Sequence, residues 1–255
     1  MGIRLIRGIA VVLVLGAITA AGAFAGVYHV GNFTLKDNSG ISPNRLPRHR
    51  QAPVTAYLRD WFSTGDGSHI PALEGASGDF DKNIHVNAEG LPVCTQKQLT
   101  ARSTTDAKRA CSEALVGSGT AEVEVEFPEQ KPFEAKGPIL FFNGGTHGGT
   151  TLLLVHTYVN VPAPTAIVVP VELTRIHRGR YGLHVAFEIP RIAGGYGSVK
   201  TFKVEIGRNF TYKGKKTGYL TASCPTGHYY AETEPRFAEG ILVHIHVVLP
   251  CTPKE

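Results

Sequence analysis

The sequence is poor in the features that usually announce a function. Its 255 residues include one methionine, one tryptophan and four cysteines, and the only long uncharged apolar stretch lies near the N-terminus. That excludes a protein crossing a membrane with many helices. There is no G-x-S-x-G nucleophile elbow, no H-E-x-x-H zinc motif and no Gly-Lys-Ser/Thr phosphate loop. No C-x-x-C or C-x-x-H spacing supports a zinc site at the cysteines. No repeat of 20 to 50 residues is evident, and no low-complexity tract interrupts residues 53–255. What the chain does have is an apolar share of 42%, enough for a real core, which excludes disorder throughout.

The N-terminus reads as an export signal. Arg4 and Arg7 precede an uncharged run at 8–28, and Ala23, Phe24 and Ala25 fit the small-x-small pattern of a cleavage site before Gly26. The alternative is an uncleaved anchor over 8–28. Either reading places the rest of the chain outside the cytoplasm, secreted or at the cell surface. Residues 26–52, with Pro43, Pro47 and a basic cluster, read as a flexible linker. Two of the 26 basic residues are Arg4 and Arg7, and four more are Lys36, Arg45, Arg48 and Arg50. Of the 21 acidic residues only Asp37 precedes residue 53, so residues 53–255 carry 20 of each sign. The formal net charge of +5 belongs to the N-terminal part, and the folded part lacks the footprint of a nucleic-acid binder.

Cys94, Cys111, Cys224 and Cys251 all lie in the exported part, and an even count there reads as two disulfides. Of three pairings, Cys94–Cys111 with Cys224–Cys251 is favoured, because each pair brackets one local unit. Most of the remaining sequence alternates with period two. In residues 119–127, Val123, Val125 and Phe127 face one way and Glu122, Glu124 and Glu126 the other. Residues 181–189 and 241–249 repeat the pattern. Further strands are expected at 54–62, 79–86, 138–143, 151–161, 166–173, 199–210, 219–223 and 229–237, with glycine-containing turns between them. Only 104–115 has helical spacing. The expectation is all-β: one antiparallel sandwich or barrel over 53–255 with one short helix, behind an N-terminal signal or anchor helix at 1–25.

The strings DFDKNIHVNAEGLPVC (79–94), AKRACSEALVGSG (107–119), IPRIAGGYGSVKTF (189–202) and GYLTASCPTGH (218–228), with Cys251, resemble a group of uncharacterised secreted β-rich proteins of actinobacteria that carry two cysteine pairs. The resemblance spans roughly 53–251 and its motifs are structural. It implies a secreted β protein and no particular chemistry.

Several residues are candidates for a site. His244 and His246 share one side of a strand, an arrangement that takes zinc or copper when a third ligand comes from a neighbouring strand. His156, His184 and His228 are available as that ligand. Against this, Ile241, Val243, Ile245 and Val247 define the core side, which leaves both histidines on the solvent side with nothing required of them. Asp79 and Asp81 present alternate oxygens, as calcium loops do, with Asp66 as a further donor if the fold brings it close, but Ile84 and Gly90 occupy the places of the EF-hand Gly and Glu. His147 sits in the glycine-rich run 141–150, read as a wide hairpin that could hold an anion. Glu122, Glu124 and Glu126 read as a solvated face. Tyr57, Trp61, Tyr158, Tyr181, Tyr196, Tyr212, Tyr229 and Tyr230 would stack on sugars if gathered in space. No motif requires a cofactor; calcium and zinc are the alternatives. The reading is a binding or structural module of the cell envelope, its partner an envelope component or carbohydrate, with no nucleic acid and no membrane contact beyond the N-terminal segment. The alternative is an extracellular hydrolase or metal enzyme that uses a His or Asp/Glu cluster on the sheet.

Overall fold

A computed structural model describes residues 22–160 and 163–255. The strands are β1 (Gly22–Val30), β2 (Phe33–Ser42), β3 (Arg45–Pro47), β4 (Ala52–Thr64), β5 (Leu73–Asp81) and β6 (Ile84–Val86). Two helices follow, α1 (Gln96–Leu99) and α2 (Thr104–Ala110). After them come β7 (Leu115–Val125), β8 (Phe133–His147), β9 (Thr150–Val159), β10 (Thr165–Arg178) and β11 (Tyr181–Glu188). The chain ends with β12 (Gly197–Ile206), β13 (Asn209–Tyr212), β14 (Lys215–Gly218), β15 (Leu220–Ala222), β16 (His228–Phe237), β17 (Ile245–Pro250) and β18 (Thr252–Lys254).

The long strands form one antiparallel sheet in the order β1-β2-β4-β12-β7-β8-β9-β10-β11-β5-β16-β17. The sheet curls until β17 lies beside β1 without a hydrogen-bonded ladder between them, a nearly closed barrel with one open seam. β15 bridges β4 and β6, β13 pairs β14, and β18 pairs β3.

Alternation puts one side of each strand inside. Phe33 on β2, Phe62 on β4 and Phe237 at the end of β16 meet there, with ring centroids 4.6 Å (Phe33–Phe237) and 5.4 Å (Phe62–Phe237) apart. A second core joins Val116, Ile139, Phe141 and Leu153 to Val171, Leu173 and Leu183. A third lies outside the barrel wall, where α1 and α2 cover Leu140, Phe142 and Leu154. Cys94–Cys111 fastens that helical layer, and Cys224–Cys251 sits in the first core. Both bonds are consistent with an extracellular chain.

Four expectations need correction. Residues 26–52 are not a tether: β1 and β2 form a hairpin that belongs to the sheet, and Phe33, Leu35 and Ile41 are buried in its core. Most of the export segment lies outside the described residues, but its last part is strand rather than helix, and the expected cut before Gly26 falls within β1. Among the described residues no helix is long and apolar enough to cross a membrane. The single helix is two, since Thr95 and Gln98 form a capping box that starts α1, while Ser103 caps α2. The glycine run is a tight turn, not a wide loop: His147 pairs with Thr150 across Gly148 and Gly149, both at positive φ as a primed two-residue turn requires.

Candidate functional site

Strand order aligns one residue from each of six strands into a row. Thr150, Thr174, His184, Asp79, Glu232 and His246 are successive cross-strand partners on β9, β10, β11, β5, β16 and β17. Directly paired residues share a face. The alternate residues Ala231, Ile245 and Val247 are in the core, so the row lies on the outer surface.

Its members pair with one another. Thr150 Oγ1 and Thr174 Oγ1 are 3.1 Å apart. His184 Nδ1 is 2.7 Å from Asp79 Oδ1, and the Arg178 guanidinium engages the other carboxylate oxygen. Asp79 is 7% exposed, so these two partners satisfy an almost buried charge. His246 Nδ1 is 3.5 Å from Glu232 Oε1, and His244 Nδ1 is 2.9 Å from Glu234 Oε2. Burial, followed by a hydrogen bond to the Glu232 carboxylate, raises the pKa of Tyr181 above its usual range. Of these groups, Asp79, Arg178, His184, Glu232, Glu234, His244 and His246 line a groove of about 210 Å³.

The structure therefore gathers Asp79, His184, His244 and His246 in one place. His244 and His246 are solvent-facing, 64% and 74% exposed, as the alternation indicates. Asp81 belongs elsewhere: it accepts bonds from the Asn83 backbone and side chain and from Tyr230 N, an anchor for the turn after β5. Asp66 accepts from Ser68 N within its own loop. His147 is exposed at its hairpin tip, away from the groove lining. His156 lies buried under the helical layer with Nε2 3.0 Å from the Arg102 carbonyl, and desolvation lowers its pKa. His228, at the start of β16, is outside the groove lining.

The aromatic candidates are divided among elements. Tyr57 and Trp61 on β4 lie beneath Arg59 and Lys203, Tyr230 beneath Arg180, and Tyr212 beneath Lys213. Tyr229 is buried, and Tyr196 packs against Phe127.

A larger concavity was not legible in the sequence. At the end of the barrel where β7 stops and β10 starts, a cavity of about 460 Å³ opens between the 190–194 loop and the wall. Val123, Val125, Ala135, Val159, Ile167 and Ile192 line it, with Arg191 and Thr165 as its polar groups. No known protein family matches the chain, and neither a curated protein nor a solved structure matches it.

Proposed function

We propose that this chain is a non-catalytic binding module of the cell envelope, working outside the cytoplasm, that holds an apolar molecule in the mouth of its barrel. The apolar cavity of about 460 Å³ carries this reading. Its size falls within the range of small-molecule sites, and barrel mouths are favoured places for them. The two disulfides support the extracellular setting. Arg191 at the lining suits a ligand with an anionic end. The test is titration of the full chain with an apolar fluorescent probe. Saturable binding near one per chain is expected, and Ala135→Trp, which fills the cavity from its wall, should abolish it. Absence of saturation, or full binding by the plugged variant, overturns the reading.

A hydrolase that works in the outer groove is the second reading, and the His184–Asp79 contact at 2.7 Å favours it. With Nδ1–H donated to Asp79, the imidazole carries its lone pair on Nε2, the arrangement of a carboxylate-oriented general base. It requires turnover of an envelope substrate that His184→Ala removes while the fold persists.

A further inference from the structure

Glu124 and Glu126 stand on the outer side of the wall, two residues apart at the end of β7. The loop between β4 and β5 brings His69 onto them. His69 Nδ1 lies 3.0 Å from Glu124 Oε1 and 3.0 Å from Glu126 Oε2. Among the described residues this is the one group of three or more His, Cys, Asp or Glu whose ligand atoms all lie within 4.8 Å of one another. On the far side of the ring, Ser198 Oγ is 3.0 Å from His69 Nε2.

Serine, imidazole and carboxylate in that order resemble a hydrolase relay. The resemblance stops at access. Ser198 is 0% exposed, so no substrate carbonyl reaches its oxygen. Two arrangements fit these distances: Nδ1–H donates to the carboxylates while the buried hydroxyl donates to Nε2, or the hydroxyl accepts from Nε2–H and the Nδ1 lone pair faces the two carboxylate oxygens. The second calls for a cation between the three atoms, and it is the tautomer in which a metal-binding histidine is held, with its second nitrogen fixed by a neighbouring acceptor.

We propose that His69, Glu124 and Glu126 form a site for zinc or a similar first-row divalent cation, with Ser198 as a positioning residue. Bonds of about 2.0 Å at tetrahedral angles put ligand atoms roughly 3.3 Å apart, close to both distances found here. One imidazole among the donors favours such an ion over calcium or magnesium. Three protein ligands leave the fourth position to water. The ligands are well held: Glu126 N donates to the Tyr196 carbonyl, and Ile70, beside His69, is buried in the core. His69 and Glu124 are 31% and 21% exposed, which leaves the site open to ions from solution.

The full oxidised chain is titrated with zinc alone by calorimetry at pH 7.5, with circular dichroism as the check of folding. One zinc per chain is expected. His69→Ala, and separately Glu124→Gln with Glu126→Gln, should weaken binding more than 100-fold. Ser198→Ala should weaken it roughly tenfold. X-ray absorption of the zinc-loaded wild type should report nitrogen and oxygen donors with no sulfur. His244→Ala with His246→Ala should bind zinc as the wild type does. Failure to bind zinc below millimolar concentration overturns the site. So does unchanged affinity in a folded His69→Ala or Glu124→Gln/Glu126→Gln chain, and loss only in the His244→Ala/His246→Ala chain relocates zinc to the groove. Wild-type affinity in Ser198→Ala overturns the positioning role.

Discussion

Asp37 and Asp60 are directly opposed cross-strand partners of β2 and β4, and their carboxyl groups share a hydrogen bond on the inner side of the barrel. Ser39 donates to Asp37, while Oδ1 of Asp60 is buried without a partner. Burial pushes both groups up, and for Asp60 the nearby Asp37 pushes it well above the usual carboxylate range. A raised folded-state value means that the native chain binds its protons more tightly than the unfolded chain. The contribution is complete below the ordinary value of about 4 and is lost as pH rises through the raised values.

Asp60→Asn keeps a hydrogen-bonding group in place and removes the charge. It is expected to raise the melting temperature at pH 8 by several degrees, at about 2–4 °C per kcal/mol for a chain of this size. It should also flatten the decline in stability between acid and neutral pH. Melts at pH 4 to 8 decide this: the same slope in variant and wild type would show that the pair does not titrate as described.

The disulfides differ in what they hold. Cys224–Cys251 lies in the core shared by β2, β4, β16 and β17, whereas Cys94–Cys111 holds only the helical layer on the outside of β8 and β9. Replacing Cys224 and Cys251 by serine is expected to lower global stability by about 2–4 kcal/mol. Replacing Cys94 and Cys111 should act locally, with faster hydrogen exchange at Leu99 and Ala107 and a smaller fall in melting temperature. Equal global losses in the two variants would contradict this division.

The clearest strands were legible because their inner residues are uniformly apolar. Val123 and Val125 against Glu122 and Glu124 identify β7 directly. β2 hid its period because Asp37 and Ser39 lie among its inward residues between Leu35 and Ile41, so a core strand read as a polar tether. The groove was half visible. An H-x-H spacing places His244 and His246 on one side, but only strand order brings Asp79 and His184 beside them. His69 gave no signal at all. It lies 55 residues from Glu124 and 129 from Ser198 on an irregular loop, and no periodicity links such positions. The three glutamates were the visible trace of that site, and they read equally well as a wet surface.

Phe33 tests the role of the N-terminal hairpin. It is 0% exposed, stacks its ring on Phe62 and meets Phe237 at a tilt. In a tether, Phe33→Ala would change nothing. In the barrel it opens a cavity in the first core, with an expected loss of about 3–5 kcal/mol. Urea unfolding measures the difference, and a loss below about 1 kcal/mol would return this segment to the status of a linker.

The mouth of the barrel makes a prediction about ligand charge as well as apolarity. Val123, Val125 and Ile167 offer a contact that any apolar body can use, and a neutral probe should feel them alone. Arg191 adds one fixed positive charge to the lining, and an apolar ligand ending in a carboxylate gains from it. Arg191→Glu should therefore weaken binding of an anionic apolar probe about 10- to 100-fold, corresponding to about 1.4–2.8 kcal/mol. A neutral probe of the same shape should bind the variant as it binds the wild type. Added salt should weaken the anionic probe and leave the neutral one nearly unchanged, because screening acts only on the charge pair. Equal losses for both probes would mean that the substitution reshapes the 190–194 loop, and no loss for either would remove Arg191 from recognition.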